Sequence, residues 1–444
     1  MNRYLMSFDD LGINPALSKV LARQDITSPF PIQTATLPDA ISGRDVLGRG
    51  QTGSGKTLAF GLAMLTRLAN RRAKPHQPLG LVLAPTRELA MQINDSLAPL
   101  MSAVDLKSRL IAGGMPYGKQ IDALRKGVPI LIATPGRLID LMQRGDVYLS
   151  KTEIVVLDEA DQMADMGFLP AMKQILDTCK PGGQRLLFSA TLDKGVDRLV
   201  RTYLDNPIEH SVDTGKASVD TMYHHVLVVH PEDRDSVIAQ IASREGRTII
   251  FTRTKHGADK LAKKLTQQGV PTGVLHGDKT QAVRTRTLGD FKDGRINALV
   301  ATNVAARGIH VDGISLVVHF DAPTDPKDYL HRAGRTARAG ESGTVVTMTA
   351  PRQQRNVKHM TDRCGVTPTI TRIRPLSSEL VTITGAQEPS GRPWYPAPAK
   401  SGQSGKPKHS GRRPGRGRPG HSTNSNQRPP AGRRRGNTRT RPSS

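Results

Sequence analysis

Short apolar runs alternate along this chain with longer stretches of helical pattern. The first series comprises Asp45–Leu47, Gly80–Ala84, Pro129–Ala133, Glu153–Leu157 and Arg185–Phe188. The second comprises His225–Val229, Thr248–Phe251, Asn297–Ala301, Ser315–Phe320 and Gly343–Thr347. Continuous apolar runs of this length predict strands covered on both faces, and their alternation with helices predicts parallel sheets. A polar stretch at 211–222 interrupts the series. The pattern therefore predicts an α/β protein of two parallel-sheet domains, 1–210 and 223–375, joined by a linker at 211–222. An extension follows at 376–444. No sequence repeat links the halves.

Composition changes the picture mainly at the C-terminus. The chain has 444 residues and a formal net charge of +25. Residues 391–444 hold 14 Lys and Arg and no Asp or Glu, leaving about +11 on the rest. Beyond about Glu388, Gly, Pro, Ser, Arg and Lys dominate, and such a segment buries too little apolar surface to offset its ordering entropy. A disordered basic tail is expected, with nucleic acid as the first partner for the charge. Its runs at 411–418 and 433–436, with Trp394 and Tyr395 at its base, suit a sequence-tolerant RNA tether; a solubilising extension is the plainer alternative. Only Cys179 and Cys364 occur, far apart, which fits a reducing cytoplasm rather than a disulfide or zinc framework. The N-terminus has no secretory pattern, and no apolar run is long enough for a membrane span.

Two motifs carry the chemistry. Residues 50–57 read Gly50, Gln51, Thr52, Gly53, Ser54, Gly55, Lys56, Thr57, the phosphate-loop pattern between a strand and a helix. Its backbone N–H groups would close on phosphate oxygens, with Lys56 bridging the β- and γ-phosphates of a nucleoside triphosphate and Thr57 on Mg2+. Asp158 and Glu159 end an apolar run; Asp158 would hold Mg2+ and Glu159 would orient and activate water. Other polar clusters also follow strands: Pro85–Glu88, Thr134–Arg137, Ser189 and Thr302. The carboxyl end of a parallel sheet is where ligands bind.

With these motifs in hand, the sequence resembles the DEAD-box ATP-dependent RNA helicases over roughly residues 8–350. The likeness runs in order through Phe8 with Ser28–Gln33, the phosphate loop, Pro85–Ala90, Gly113-Gly114, Thr134–Arg137, Asp158–Asp161 and Ser189–Thr191. It continues through Ile249–Thr252, His276–Asp278 with Gln281 and Arg284, Ala301–Ile309 and His331–Gly340. The resemblance implies two tandem RecA-like domains, and the compact organisation points to a bacterial source. It also implies RNA-stimulated ATP hydrolysis coupled to local, non-processive unwinding. Phe8 and Gln33 would then meet adenine, which favours ATP over GTP. Arg335 and Arg338 would act as arginine fingers, and Ser189, Thr191 and His331 would couple the sites. RNA contacts would fall to Arg87, Gly113, Gly114, Thr134, Gly136 and Arg137 in the first domain. In the second they would fall to Arg253, Gln281, Arg284, Thr302 and Gly308. Such contacts hold the RNA backbone without reading sequence. A monomer is expected, with ribosomal or RNA-decay assemblies as settings.

Four positions depart from the family pattern. Asp25 replaces a usual Gly, Phe30 a usual Thr and Asn303 a frequent Asp. His310 stands where an Asp usually accepts from the ATP ribose. Three rival functions can be weighed on sequence: a DNA helicase or translocase, against which Ser28–Gln33, Pro85–Ala90 and Thr134–Arg137 argue; an RNA clamp or chaperone in which strand separation is incidental; and a nonhydrolysing RNA-binding module, against which intact Lys56, Glu159 and Arg335 argue.

Overall fold

The computed structural model describes residues 6–50, 53–212, 222–306, 311, 313–337 and 342–395. Two parallel sheets carry it. The first contains β1 (Val46–Arg49), β2 (Gly80–Leu83), β3 (Ser108–Ile111), β4 (Ile130–Ala133), β5 (Ile154–Asp158), β6 (Gln184–Ser189) and β7 (Ile208–Ser211). Their spatial order is β3-β4-β2-β5-β6-β1-β7. The second contains β8 (Met222–Val229), β9 (Arg247–Thr252), β10 (Thr272–Leu275), β11 (Ala298–Thr302), β12 (Ile314–His319), β13 (Gly343–Thr349) and β14 (Thr369–Ile373), ordered β10-β11-β9-β12-β13-β8-β14. Counted from its own first strand, each sheet has the same order, although the sequences show no repeat.

Alternation across the pleat divides each apolar run between two cores. In the first domain, Val82, Ile154, Val156 and Phe188 face the helices Pro15–Arg23, Pro31–Ser42, Lys56–Leu68 and Arg87–Ala103. Leu81, Leu83, Val155 and Leu157 face the opposite side with Leu138, Met163, Met172 and Leu199. The second domain repeats this arrangement: Leu227, Ile250 and Val318 line one core, and Val226, Ile249 and Val317 the other.

Ordered chain continues past the predicted 375 boundary and past the composition shift near 388. The helix Ser378–Thr384 buries Leu380 in the second domain's core. Gln387, Gly391 and Trp394 then donate backbone hydrogen bonds to Gln240, Gln268 and Thr266. Leu380, Ala386 and Trp394 pack on the second domain's cores and, with these bonds, hold a segment that runs into the stretch composition alone reads as tail. The basic runs of the tail lie outside the described residues.

Candidate ATPase site and nucleic-acid interface

The phosphate loop leaves β1, whose last residues pair with Phe188 and Ser189 of β6. Gly53 and Gly55 adopt φ +91° and +89°, a left-handed region open to glycine at little cost. Gly55 is also crowded: a Cβ there would lie 2.5 Å from Gln33 Nε2 and 2.7 Å from the Phe30 ring. Gln33 is fully buried and braces the loop. Its Nε2 donates to Gly55 O at 3.0 Å, and its Oε1 accepts from Phe30 N at 2.9 Å. Lys56 is buried and donates to Gly50 O at 2.7 Å. Phe8 sits in the core beside Leu11 and Ile13. Gln51 and Thr52 lie outside the described residues.

Asp158 ends β5 and is buried, and its Oδ1 has no hydrogen-bond partner. Burial pushes its carboxyl up to about 7, against the pull of the Lys56 charge. Glu159 follows at φ +52°, ψ 52°, a conformation that costs a non-glycine residue about 1–3 kcal/mol. Local strain of this kind persists only where the surrounding structure imposes it, and here it turns the backbone sharply between β5 and the helix Ala160–Asp165.

Two turns meet behind this site. Asp161 Oδ2 accepts from Thr191 N at 3.0 Å and from Thr191 Oγ1 at 2.9 Å. Ser189 Oγ accepts from Asp161 N and donates to Thr191 O at 2.8 Å. Asp161 is therefore the physical link between Asp158-Glu159 and Ser189–Thr191. The residue stands in a matched motif, but nothing in the sequence assigns it a partner.

In the second domain, the helix Pro326–Ala333 carries His331 and leads to Arg335. Arg335 is buried, with Nε donating to His331 O at 3.3 Å. His331 Nδ1 is buried without a hydrogen-bond partner. Arg338 and His310 lie outside the described residues.

Arginines of the two domains gather around Glu88. Arg87 opens a helix and donates from Nη1 to Gly113 O at 3.1 Å, with Gly114 adjacent at φ +71°. Arg137 donates to Met115 O at 2.9 Å and lies 4.0 Å over the Tyr117 ring. Burial and the neighbouring charges of Arg284 and Arg137 lower the Arg87 pKa, although Glu88 opposes them. Glu88 joins the domains: Gln281 Nε2 donates to its Oε1 at 2.9 Å, and Arg284 Nε lies 3.0 Å from the same oxygen. Space is open around Gly113 and Gly136. Thr134 stands at the N-cap position of the helix Pro135–Gln143 without a capping bond from its side chain, Thr302 ends β11, and Arg253 is exposed after β9. Gly308 lies outside the described residues.

Residues 30–199 match the DEAD/DEAH box helicase family model, and residues 232–340 match the helicase conserved C-terminal domain. The chain is 39% identical to the ATP-dependent RNA helicase RhlB of Xanthomonas oryzae pv. oryzae, over 85% of this chain and 67% of that protein. This chain belongs to the DEAD-box helicase family. It is also 39% identical to the mitochondrial DEAD-box ATP-dependent RNA helicase 9 of Arabidopsis thaliana, over 81% of this chain. It spans 60% of that relative's length. The S. cerevisiae Dbp5 structure bound to RNA and ADP BeF3 superimposes with a TM-score of 0.74 at 32% identity, covering 82% of this chain and 95% of that one. Plant and fungal relatives accompany the bacterial one, so the likeness does not single out bacteria. Among the described residues, no helix is long and apolar enough to cross a membrane.

Two of the DEAD-box departures have local explanations. Asp25 adopts φ +58°, which accounts for the usual Gly and for Asp as a tolerated substitute. Asn303 Nδ2 donates to Asp328 Oδ2 at 2.6 Å, a bond that an Asp at 303 would replace with facing carboxylates.

Proposed function

We propose that this DEAD-box chain is an ATP-dependent RNA helicase that couples ATP hydrolysis to local, non-processive unwinding. One observation carries the reading. Buried Asp158 keeps an unpartnered oxygen within reach of the Lys56 charge, and Glu159 follows it in a left-handed turn at the carboxyl end of β5.

The unpartnered Asp158 oxygen and the Thr57 hydroxyl fit a magnesium ion, which would be held largely through phosphates and water. That cation would supply charge neutralisation at the β- and γ-phosphates. In this reading Gly50, Gln51, Thr52, Gly53, Ser54 and Gly55 enclose the phosphates and Lys56 neutralises them. Gln33 keeps one acceptor and one donor site for adenine while bracing Gly55. Glu159 orients the attacking water and takes its proton. Arg335 and Arg338 stabilise charge on the transferred phosphoryl group, and His310 takes the place of the family's ribose-binding Asp. Ser189, Thr191 and Asp161 pass the change to the RNA surface. There Arg87, Arg137, Arg253 and Arg284 hold phosphates, and Gly113, Gly114, Thr134, Gly136, Thr302 and Gly308 allow close backbone approach.

The test compares ATP turnover with single-stranded RNA, with DNA and with neither. RNA should stimulate strongly and DNA weakly. Glu159→Gln should abolish turnover while retaining ATP and RNA, trapping a closed complex. Equal stimulation by DNA would favour a DNA translocase, and annealing without unwinding would favour a chaperone. Normal turnover by Glu159→Gln would remove Glu159 from the site.

A further inference from the structure

Lys327 occupies the first turn of the helix Pro326–Ala333, where Asp325 caps by accepting from Lys327 N at 2.7 Å. A cation at that end opposes the helix dipole, so local electrostatics does not account for it. Its ammonium reaches the first domain instead, 2.7 Å from Asp193 Oδ2 and 3.6 Å from Asp165 Oδ1. Asp165 is the last residue of its helix, the end least suited to an anion. Asp193 caps the helix Lys194–Tyr203 through Oδ1, which accepts from Gly195 N and Val196 N, leaving Oδ2 to Lys327. Lys327 and Asp165 each oppose their own helix, and each is compensated by the other domain.

The two acids close the two motifs of the ATP site. Asp165 lies one helical turn beyond Asp161, and Asp193 lies two residues beyond Thr191. On the other side, Lys327 precedes His331 by four residues on one helix face, and the same helix leads through Gly334 to Arg335. An exposed ion pair would carry little weight. Here the carboxylates are mostly covered, with side-chain exposures of 18% for Asp193 and 22% for Asp165. Burial acts against both charges but is outweighed: the Asp193 and Asp165 carboxylates hold Lys327 above its usual pKa, and Lys327 together with the Val196 and Gly195 N–H groups holds Asp193 below its own.

We propose that Lys327 is a positioning residue for ATP hydrolysis, and that its bridge to Asp193 and Asp165 seats the finger-bearing helix against the first domain. The inference rests on reading Arg335 as the finger. The Glu88 contacts with Gln281 and Arg284 join the domains at the RNA surface, and Lys327 joins them at the ATP site.

Full-length Lys327→Ala, Lys327→Arg and Lys327→Glu should be compared by RNA-stimulated kcat, by ATP-analogue affinity without RNA, and by interdomain energy transfer with analogue and RNA bound. Lys327→Ala should lower kcat and the closed fraction about three- to tenfold, with analogue affinity unchanged without RNA. Lys327→Glu should be worse, and Lys327→Arg should stay within about twofold of the native chain. Asp165→Asn should produce a smaller loss that is not additive with Lys327→Ala. Native kcat and closure in both Ala and Glu variants would overturn the proposal, as would a loss in Lys327→Ala that Lys327→Arg shares. Arg335→Ala, run in parallel, separates the two readings. If it keeps native kcat, the finger assignment fails, and with it Lys327 as a positioning residue. If it loses kcat while the Lys327 variants do not, only the Lys327 inference fails. Should Lys327→Ala unfold at a lower urea midpoint, Lys327→Arg and Asp165→Asn carry the test.

Discussion

The two sheets share one strand order but differ in the segment that leaves the first strand of each. β1 runs into the glycine loop and the helix Lys56–Leu68. β8 occupies the same place in its sheet but runs into His230, Pro231 and Glu232 before the helix Arg234–Ala242. At the carboxyl end of the second sheet, Arg234 pairs with Asp321 at 3.0 Å and covers the Phe320 ring at 3.9 Å. A cavity of about 350 Å³ remains there, lined by Pro231, Arg253, Thr349 and Gln353 among others. It has no glycine loop to aim N–H groups at phosphates. Topology sets where a ligand can sit, and the loops set which ligand. The second domain instead sends side chains to the first domain's site: Lys327 through its bridge and, as proposed, Arg335.

Removing that contribution should have the largest effect. Arg335→Ala should lower RNA-stimulated turnover by about 10³-fold or more, the low end for an arginine finger. ATP affinity without RNA should stay near the native value, because the finger acts only when the domains close. Single-turnover rates and equilibrium binding read the two quantities separately. A variant with normal stimulated turnover would return the second domain to a purely RNA-binding role.

The central strands of both sheets were legible in sequence because burial on two faces makes them continuously apolar. Four strands were not, namely β3, β7, β10 and β14, and all four are sheet edges. Ser108-Arg109-Leu110-Ile111 and Ile208-Glu209-His210-Ser211 carry polar groups because an edge has less to cover. The glycine loop and Asp158-Glu159 were legible because their chemistry is local. The Asp161–Thr191 link, the Gln33–Gly55 brace and the Lys327 bridge were not. Each joins residues 22 or more positions apart, and spacing along the chain does not encode such pairs.

A matched pair of substitutions sharpens the contrast at the first helix of each domain. Gly55 and Asp233 are the N-caps of the helices reached from β1 and β8. Gly55→Ala adds a left-handed alanine whose Cβ meets Gln33 and Phe30, so it should cost about 2–3 kcal/mol and raise the ATP KM tens of times. Asp233 has φ −87° and makes no capping bond through its side chain, so Asp233→Ala should stay within about 0.5 kcal/mol. Urea midpoints and ATP KM values test both, and similar costs would deny the loops their different roles.

Acid should separate the domains next. His224 Nδ1 lies 2.7 Å from the Tyr329 hydroxyl, and His319 Nδ1 lies 3.0 Å from Thr347 Oγ1. Burial pushes His224 down to about 4, with His225 adding repulsion. Burial, Arg332 and His224 hold His319 well below its usual range. A folded pKa below the unfolded value means that the unfolded chain binds more protons between the two values. Stability from these histidines is therefore complete above about 6.5 and falls as pH drops toward 4. Trp394 is the chain's single tryptophan and packs on the second domain, so its fluorescence reports that unfolding. Its urea midpoint should drop between pH 7 and pH 5 by the equivalent of about 1–3 kcal/mol. His224→Gln should flatten the change, and a pH-independent midpoint would show that these histidines are not held neutral.

Asn303 offers the smallest and most local test. Its amide donates to Asp328, the neighbour of Lys327 on the helix that leads to Arg335. Restoring the family's frequent acid, Asn303→Asp, would face two carboxylates where a hydrogen bond now stands. The variant should lose about 1 kcal/mol of second-domain stability, because repulsion replaces one hydrogen bond in a partly buried place. Since Asp328 sits on the finger helix, the repulsion should also lower RNA-stimulated kcat about two- to fivefold while leaving ATP affinity without RNA unchanged. Asn303→Asp with Asp328→Asn reverses the donor and acceptor and should recover most of both losses. If the single variant equals the native chain in urea midpoint and kcat, the 303–328 contact does not hold the finger helix. If the double variant fails to recover, Asp328 has a further partner that the exchange removes.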